Sequence, residues 1–167
     1  MNQQQNEYFR SAVPAAQQTA RIYGVPASIT LAQGALESGW GASALARKAN
    51  NYFGIKATAH ATAEEYCELP TSEFVDGRKR TEVARFARYA TPAESFQSHA
   101  LLLSRGARYA LAMAVKNDPA KFAAALQKCG YSTNPSYASL LMSLVKQFDL
   151  TQYDVPTNPE PAAPAKG

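Results

Sequence analysis

No stretch of the 167 residues comes near the ~20 uninterrupted apolar residues that a membrane-spanning helix needs, so membrane insertion is not expected. Charge is sparse as well. Asp, Glu, Lys and Arg make up 18% of the chain against 46% hydrophobic residues, a balance that excludes a mostly disordered polymer. There are only two cysteines, Cys67 and Cys129, which allow one disulfide at most. Nothing in their spacing argues for that bond, and both are expected as reduced thiols that pack like small apolar residues. Met1 to Asn6 lack the basic start, apolar run and small-residue cleavage site of a secretion signal, so ordinary signal-directed export is not expected. Neither His60 nor His99 belongs to a His-Glu-x-x-His or paired-cysteine pattern, which leaves no expected metal site and no cofactor. A Cys67–His99 thiol dyad is disfavoured too, because Cys67 falls in a predicted hairpin rather than at an exposed helix start.

What remains suits one domain with its own core. The net charge of +4 favours an anionic polymer as partner, and a bacterial wall strand and a nucleic acid both qualify. The Lys and Arg residues are scattered, apart from Arg78-Lys79-Arg80, and do not form the stripe of a nucleic-acid reader.

Apolar spacing predicts a helix from near Asn6 to Tyr23, stopped by Gly24, and a second, strongly apolar helix that starts near Pro26 and carries Glu37 toward its end. Ser38-Gly39-Trp40-Gly41 then breaks it, and a short helix from Ser43 to Lys48 follows. From Tyr52 to Tyr89 the helical period fades around a turn-prone Asp76-Gly77 pair, which predicts a β-hairpin lobe. Thr91-Pro92-Ala93-Glu94 reads as a capped helix start running to about Arg105, and Asp118-Pro119 and Asn134-Pro135 repeat the cap-plus-proline signal. The expected architecture is α+β: a mainly helical domain over residues 1–154 with one small β-hairpin lobe. Residues 155–167, with four prolines and no aromatic, are expected as a disordered tail.

Glu37 is the first candidate for chemistry. A carboxyl at the end of an apolar helix, followed by glycines and an aromatic ring, fits a cleft that raises its pKa and keeps a proton for donation. The plainer reading is a surface glutamate at a helix end whose dipole disfavours it. That same dipole would help retain the proton.

The blocks Ala32-Gln33-Gly34-Ala35-Leu36-Glu37-Ser38-Gly39-Trp40-Gly41 and Asn51-Tyr52-Phe53-Gly54-Ile55-Lys56 resemble the bacterial endo-β-N-acetylglucosaminidases of glycoside hydrolase family 73. Further matching blocks are Phe86-Ala87-Arg88-Tyr89, Glu94-Ser95-Phe96, Arg108-Tyr109-Ala110 and the run from Gly130 to Ala138, so the likeness covers roughly Val25 to Leu150. It implies a lysozyme-like fold with a groove between two lobes, and cleavage of the β-1,4 bond after N-acetylglucosamine in peptidoglycan without a cofactor. Glu37 matches the family's acid. Glu73 is the best match for a second carboxylate on the hairpin, with Glu82 or Glu68 as substitutes. If Asp76-Gly77 forms a two-residue loop, Glu73 faces Arg80 across the strands, which is either a plain ion pair or a means of keeping the carboxylate ionised. Tyr131 matches a tyrosine near the reacting sugar, or else packs the start of the last helix. Trp40, Asn51, Phe53 and Tyr137 are expected on the groove wall as substrate-binding residues, although Trp40 equally suits the core. Ser98, beside His99, stands where a family member carries an aspartate.

Peptidoglycan glycan strands are thus the expected partner, with action in the periplasm or cell wall. A secretion apparatus, a phage lysis system or flagellar rod components are the candidates for carrying the chain there, and a fragment of a longer protein is the other reading. A lytic transglycosylase or muramidase on the same fold and an inactive wall-binding module are the alternatives. Retention or inversion depends on a carboxylate separation of ~5–5.5 Å or ~6.5–9.5 Å, and participation by the substrate's own acetamido oxygen is a third route.

Overall fold

The computed structural model describes residues 1–75 and 78–155, with side chains outside 72–80; the Asp76-Gly77 turn and the tail from 156 lie outside the described residues. In chain order the elements are α1 (Gln3–Tyr23), α2 (Ala27–Ser38), α3 (Ala44–Ala49), β1 (Tyr66–Val75), β2 (Arg78–Ala87) and α4 (Pro92–Arg105). A 3-10 turn (Ala107–Tyr109) runs into α5 (Ala110–Met113), followed by α6 (Pro119–Lys128), α7 (Tyr137–Gln147) and a closing 3-10 turn (Leu150–Tyr153). The expected α+β arrangement, helices with one antiparallel hairpin, is the one the chain adopts.

α2 lies at the centre, packed by α1, α6, α7 and the closing turn. Its sequence is apolar all round, the signature of a helix enclosed on every side. Every residue from Ala27 to Ser38 is buried except Leu36 and Glu37. Gly34 has no room for a side chain: a Cβ there would stand 2.5 Å from the Tyr8 hydroxyl, which donates to the Leu31 carbonyl at 2.7 Å.

Helix boundaries follow local chemistry. Gly24 ends α1 in the left-handed region (φ 73°), as its sequence position predicts. α1 starts earlier than its apolar period suggests, because Asn2 and Gln5 exchange side-chain-to-backbone bonds at 2.9 Å in a capping box. α7 starts later than the Asn134-Pro135 signal suggests. Asn134 spends its carboxamide oxygen on the Ser136 N–H (2.9 Å), which forms a turn before the helix begins. The short 107–113 segment and the closing turn carry too little periodicity to be read from sequence.

The hairpin pairs Glu73 with Arg80 and Val75 with Arg78, the register expected of a two-residue loop. Burial alternates along it. Cys67, Leu69, Thr71, Ala84 and Phe86 form the inner face, whereas Glu68, Pro70, Val83 and Arg85 are exposed on the outer one. Alternation puts the Glu73 and Glu82 positions on the inner face. Glu68, on the outer face, is tied to Arg85 at 3.1 Å. Asn51 fixes the hairpin base to the helical body, with its amide donating to the Ile55 and Ala87 carbonyls at 2.8 and 2.9 Å and its oxygen accepting from the Phe53 and Ile55 N–H groups. Both cysteines are free thiols.

α2 begins after Pro26, which has no side chain able to cap it. The cap comes from the far end of the fold. Asp154 accepts from the Ser28 backbone N–H at 2.7 Å and from the Ser28 hydroxyl at 2.8 Å, placing a negative charge at the helix end that favours it. Asp154→Ala should therefore lower the free energy of unfolding by about 1–2 kcal/mol in chemical denaturation. A loss under about 0.3 kcal/mol would mean that the cap contributes nothing.

His99 on α4 is fully buried, stacked on Phe53 with ring centroids 4.0 Å apart, and neither ring nitrogen has a hydrogen-bond partner. Burial pushes its pKa down to about 3. Below pH ~6.5 the unfolded imidazole gains a proton that the native one refuses until about 3, so stability falls with pH across that window. The slope reaches about 1.4 kcal/mol per pH unit. Between pH 6.5 and 5 His99→Leu should show a shallower decline of Tm than the wild type; equal slopes would contradict the assignment.

Candidate active site

Glu37 is placed by the way α2 ends. Ser38 bonds backward and forward: its hydroxyl donates to the Gly34 carbonyl and accepts from the Gly41 N–H at 2.7 Å. Gly39, Trp40 and Gly41 then take successive left-handed conformations (φ 55°, 61° and 78°). For a bulky aromatic such as Trp40 this conformation costs about 1–3 kcal/mol and needs outside support. That support is an aromatic cluster, with the Trp40 ring 5.6 Å from Tyr8, 5.7 Å from Phe9 and 5.1 Å from Phe148. The Gln4 amide adds a bond to the Gly39 carbonyl at 2.7 Å. A packed ring thus pins the turn that leaves Glu37 at the surface.

Glu37 combines exposure with strong desolvation. Its side chain reaches solvent, yet the protein crowds it enough that lost hydration dominates its carboxyl, which is pushed up to about 7. Two tyrosines pull the other way. The Tyr137 hydroxyl donates to Glu37 Oε1 at 2.7 Å, and Tyr131 approaches the same carboxyl. Both phenols are held above their usual range, first by burial and then by the charge of Glu37, and stay protonated as donors. Their rings stack 5.6 Å apart. A carboxyl that holds a proton near neutrality, and is stabilised by phenols once it has given that proton up, has the properties of a general acid.

Gln33, one turn before Glu37 on the same side of α2, completes the set. Its amide donates to the Tyr137 hydroxyl oxygen at 2.9 Å. The sequence had given it no role, although a glutamine amid an apolar helix was a signal, since buried polar groups are retained for their partners.

The structure brings Glu37, Tyr131 and Tyr137 together and revises the proposed groove wall. Asn51 is 1% exposed with its amide fully engaged, and Phe53 is 4% exposed beneath His99, so neither presents a surface to a ligand. Tyr137, 3% exposed, offers Glu37 its hydroxyl rather than a ring face to solvent. Trp40 is half-buried and borders a cavity of about 300 Å³ with Tyr8, Arg47 and Tyr52. A second cavity of about 330 Å³ lies between Gly24, Lys116 and Asp154. Glu37 does not line either of these two cavities and is exposed. Ser98 accepts from the Tyr89 hydroxyl at 2.9 Å.

The family model described as mannosyl-glycoprotein endo-beta-N-acetylglucosaminidase matches residues 13–150. Exo-glucosaminidase LytG of Bacillus subtilis is 39% identical over 137 residues, covering 79% of this chain and 47% of its own. Peptidoglycan hydrolase FlgJ of Salmonella typhimurium is 38% identical over 128 residues, covering 74% of this chain and 40% of its own. The chain thus spans less than half the length of these curated relatives. Among solved structures, the catalytic domain of the autolysin Auto from Listeria monocytogenes superposes with a TM-score of 0.79 at 31% identity, covering 92% of this chain and 89% of that one. The family match runs across the central helix, the hairpin and the tyrosine pair alike, and the chain belongs to the glucosaminidase family, glycoside hydrolase family 73, as a lysozyme-like glycoside hydrolase domain.

Proposed function

We propose that this chain is an endo-β-N-acetylglucosaminidase that cleaves the β-1,4 bond between N-acetylglucosamine and N-acetylmuramic acid in peptidoglycan, with Glu37 as general acid. One observation carries this reading: a solvent-reaching carboxyl held near 7 with two phenols beside it. Relatives named peptidoglycan hydrolase and autolysin support the wall polymer as substrate. LytG is named for the exo mode.

Glu73 is the carboxylate that activates water or supports the positive charge on the sugar. Its inner-face position opposite Arg80 favours it over Glu68, which the outer face and Arg85 hold away, and leaves Glu82 on the same face as substitute. Tyr131 lies beside the acid, where its hydroxyl can meet the reacting sugar. The domain runs to Asp154, whose carboxylate caps α2, with the tail following. The site of action is the periplasm or wall, in keeping with relatives named peptidoglycan hydrolase.

Digestion of purified peptidoglycan followed by mass spectrometry tests the reading. The wild type should release fragments with reducing-end N-acetylglucosamine, and its rate should fall as pH rises through about 7, where Glu37 loses its proton. Glu37→Gln should lose about 10²–10⁴-fold in rate with Tm unchanged. Anhydromuramic or reducing-end muramic products would support a transglycosylase or muramidase instead, and an inactive wild type would support the wall-binding module.

A further inference from the structure

We propose that Gln33 is a positioning residue that fixes the direction of the Tyr137–Glu37 hydrogen bond, so that Oε1 is the accepting oxygen and the acid carries its proton on Oε2. The inference rests on the reading of Glu37 as general acid and adds the device that orients it.

The argument is a count of protons along a chain of three groups. Gln33 Nε2 lies 2.9 Å from the Tyr137 hydroxyl oxygen, and that oxygen lies 2.7 Å from Glu37 Oε1. An amide NH₂ can only donate and a phenol owns one hydrogen. With Gln33 donating to it, the Tyr137 oxygen accepts on that side and spends its hydrogen on Glu37. The reversed carboxamide fails. Its oxygen would claim the phenol hydrogen and leave the Tyr137 and Glu37 oxygens facing each other without a proton whenever Glu37 is ionised.

The direction of that bond decides where the catalytic proton sits. While Oε1 accepts from Tyr137 it is the carbonyl-like oxygen of the protonated acid, and the O–H is on Oε2. Once that proton has gone to a glycosidic oxygen, the same Tyr137 hydrogen stabilises the carboxylate. Without the Gln33 donor the phenol is free to turn and accept the acid's own proton, which ties up the hydrogen that the reaction needs.

Gln33 is an expensive residue for a purely structural position. It is fully buried, and its own carbonyl oxygen has no hydrogen-bond partner. A leucine or methionine would fill the same place without stranding an acceptor, so the amide's donor is what the position retains.

The surroundings make the effect readable by titration. Around Glu37 stand Tyr8 from α1, Tyr131 from the segment before α7 and Tyr137 from α7, with Tyr52 acting on Tyr8 and Tyr109 on the other two. Tyr8, Tyr52, Tyr131 and Tyr137 are held above the usual phenol range, and His99, against Tyr131, stays neutral down to about 3. Across pH 5–9 Glu37 is therefore the titrating group of this set.

The test compares wild type, Gln33→Met, Tyr137→Phe and the double variant, using carbon-13 NMR titration of Glu37 together with kcat and KM against pH. Gln33→Met should raise the Glu37 titration midpoint by roughly one pH unit and lower kcat about tenfold with KM little changed. The double variant should match Tyr137→Phe alone, because Gln33 acts only through that hydroxyl. An unchanged midpoint in Gln33→Met, or effects that add in the double variant, would overturn the proposal. If Gln33→Met does not fold, neutron diffraction of the wild type decides: deuterium on the Gln33 nitrogen directed at Tyr137 and on the Tyr137 oxygen directed at Glu37 is expected, and the reverse overturns it. The Glu37→Gln control keeps the two readings apart. A variant that still hydrolyses glycan removes the acid itself, whereas an inactive one with an unshifted Gln33→Met titration removes only the positioning role.

Discussion

A helix enclosed on every side cannot carry an ionised group along its length, because the desolvation would be unrecovered. Only its last turn can present a carboxyl to water, and α2 does so with Glu37. The neighbouring structure follows from that constraint. Ser38 closes the helix end, the three left-handed residues turn the chain aside, and Trp40 is seated among Tyr8, Phe9 and Phe148 to hold the turn. At the opposite end Asp154 supplies the cap that Pro26 cannot. The Asp154 carboxylate thus sits at the helix end whose dipole favours negative charge, and Glu37 at the end that does not, where lost hydration keeps its pKa up.

The second lobe follows a different rule. A two-stranded hairpin has too little area to be stable alone and must be tied down at its base. Asn51 and the 55–57 segment bonded alongside β2 do this, and the strand alternation then carries inward and outward faces along the lobe from that fixed base. Residues that resemble groove-wall candidates in the sequence, Asn51 and Phe53, are thus the fastening between the lobes. Their buried amide and ring hold in place a surface that other residues present.

Much of this was legible in the sequence where the cause is local. Gly24 after an apolar period, proline at the starts of α4 and α6, and Asp-Gly between alternating runs each fix a boundary or a register within a few residues. Glu37 stood out because a carboxyl beside two glycines is an anomaly in an apolar helix. The misses are long-range. The Asp154–Ser28 bond spans 126 positions and the Tyr137–Glu37 bond spans 100, separations at which no pattern of neighbours reveals a partner. Burial misled for the same reason: Tyr137 and Asn51 are polar enough to read as surface until their hydrogen bonds are found inside.

The most direct test of the account is a crystal structure of Glu37→Gln with a peptidoglycan oligosaccharide bound across the site. The account predicts the bridging oxygen of an N-acetylglucosaminyl bond about 3 Å from the side chain at position 37, with the sugar also within reach of Tyr131. A glycan seated instead in the cavity beside Trp40 and Tyr52, with position 37 out of hydrogen-bond reach of any glycosidic oxygen, would contradict it.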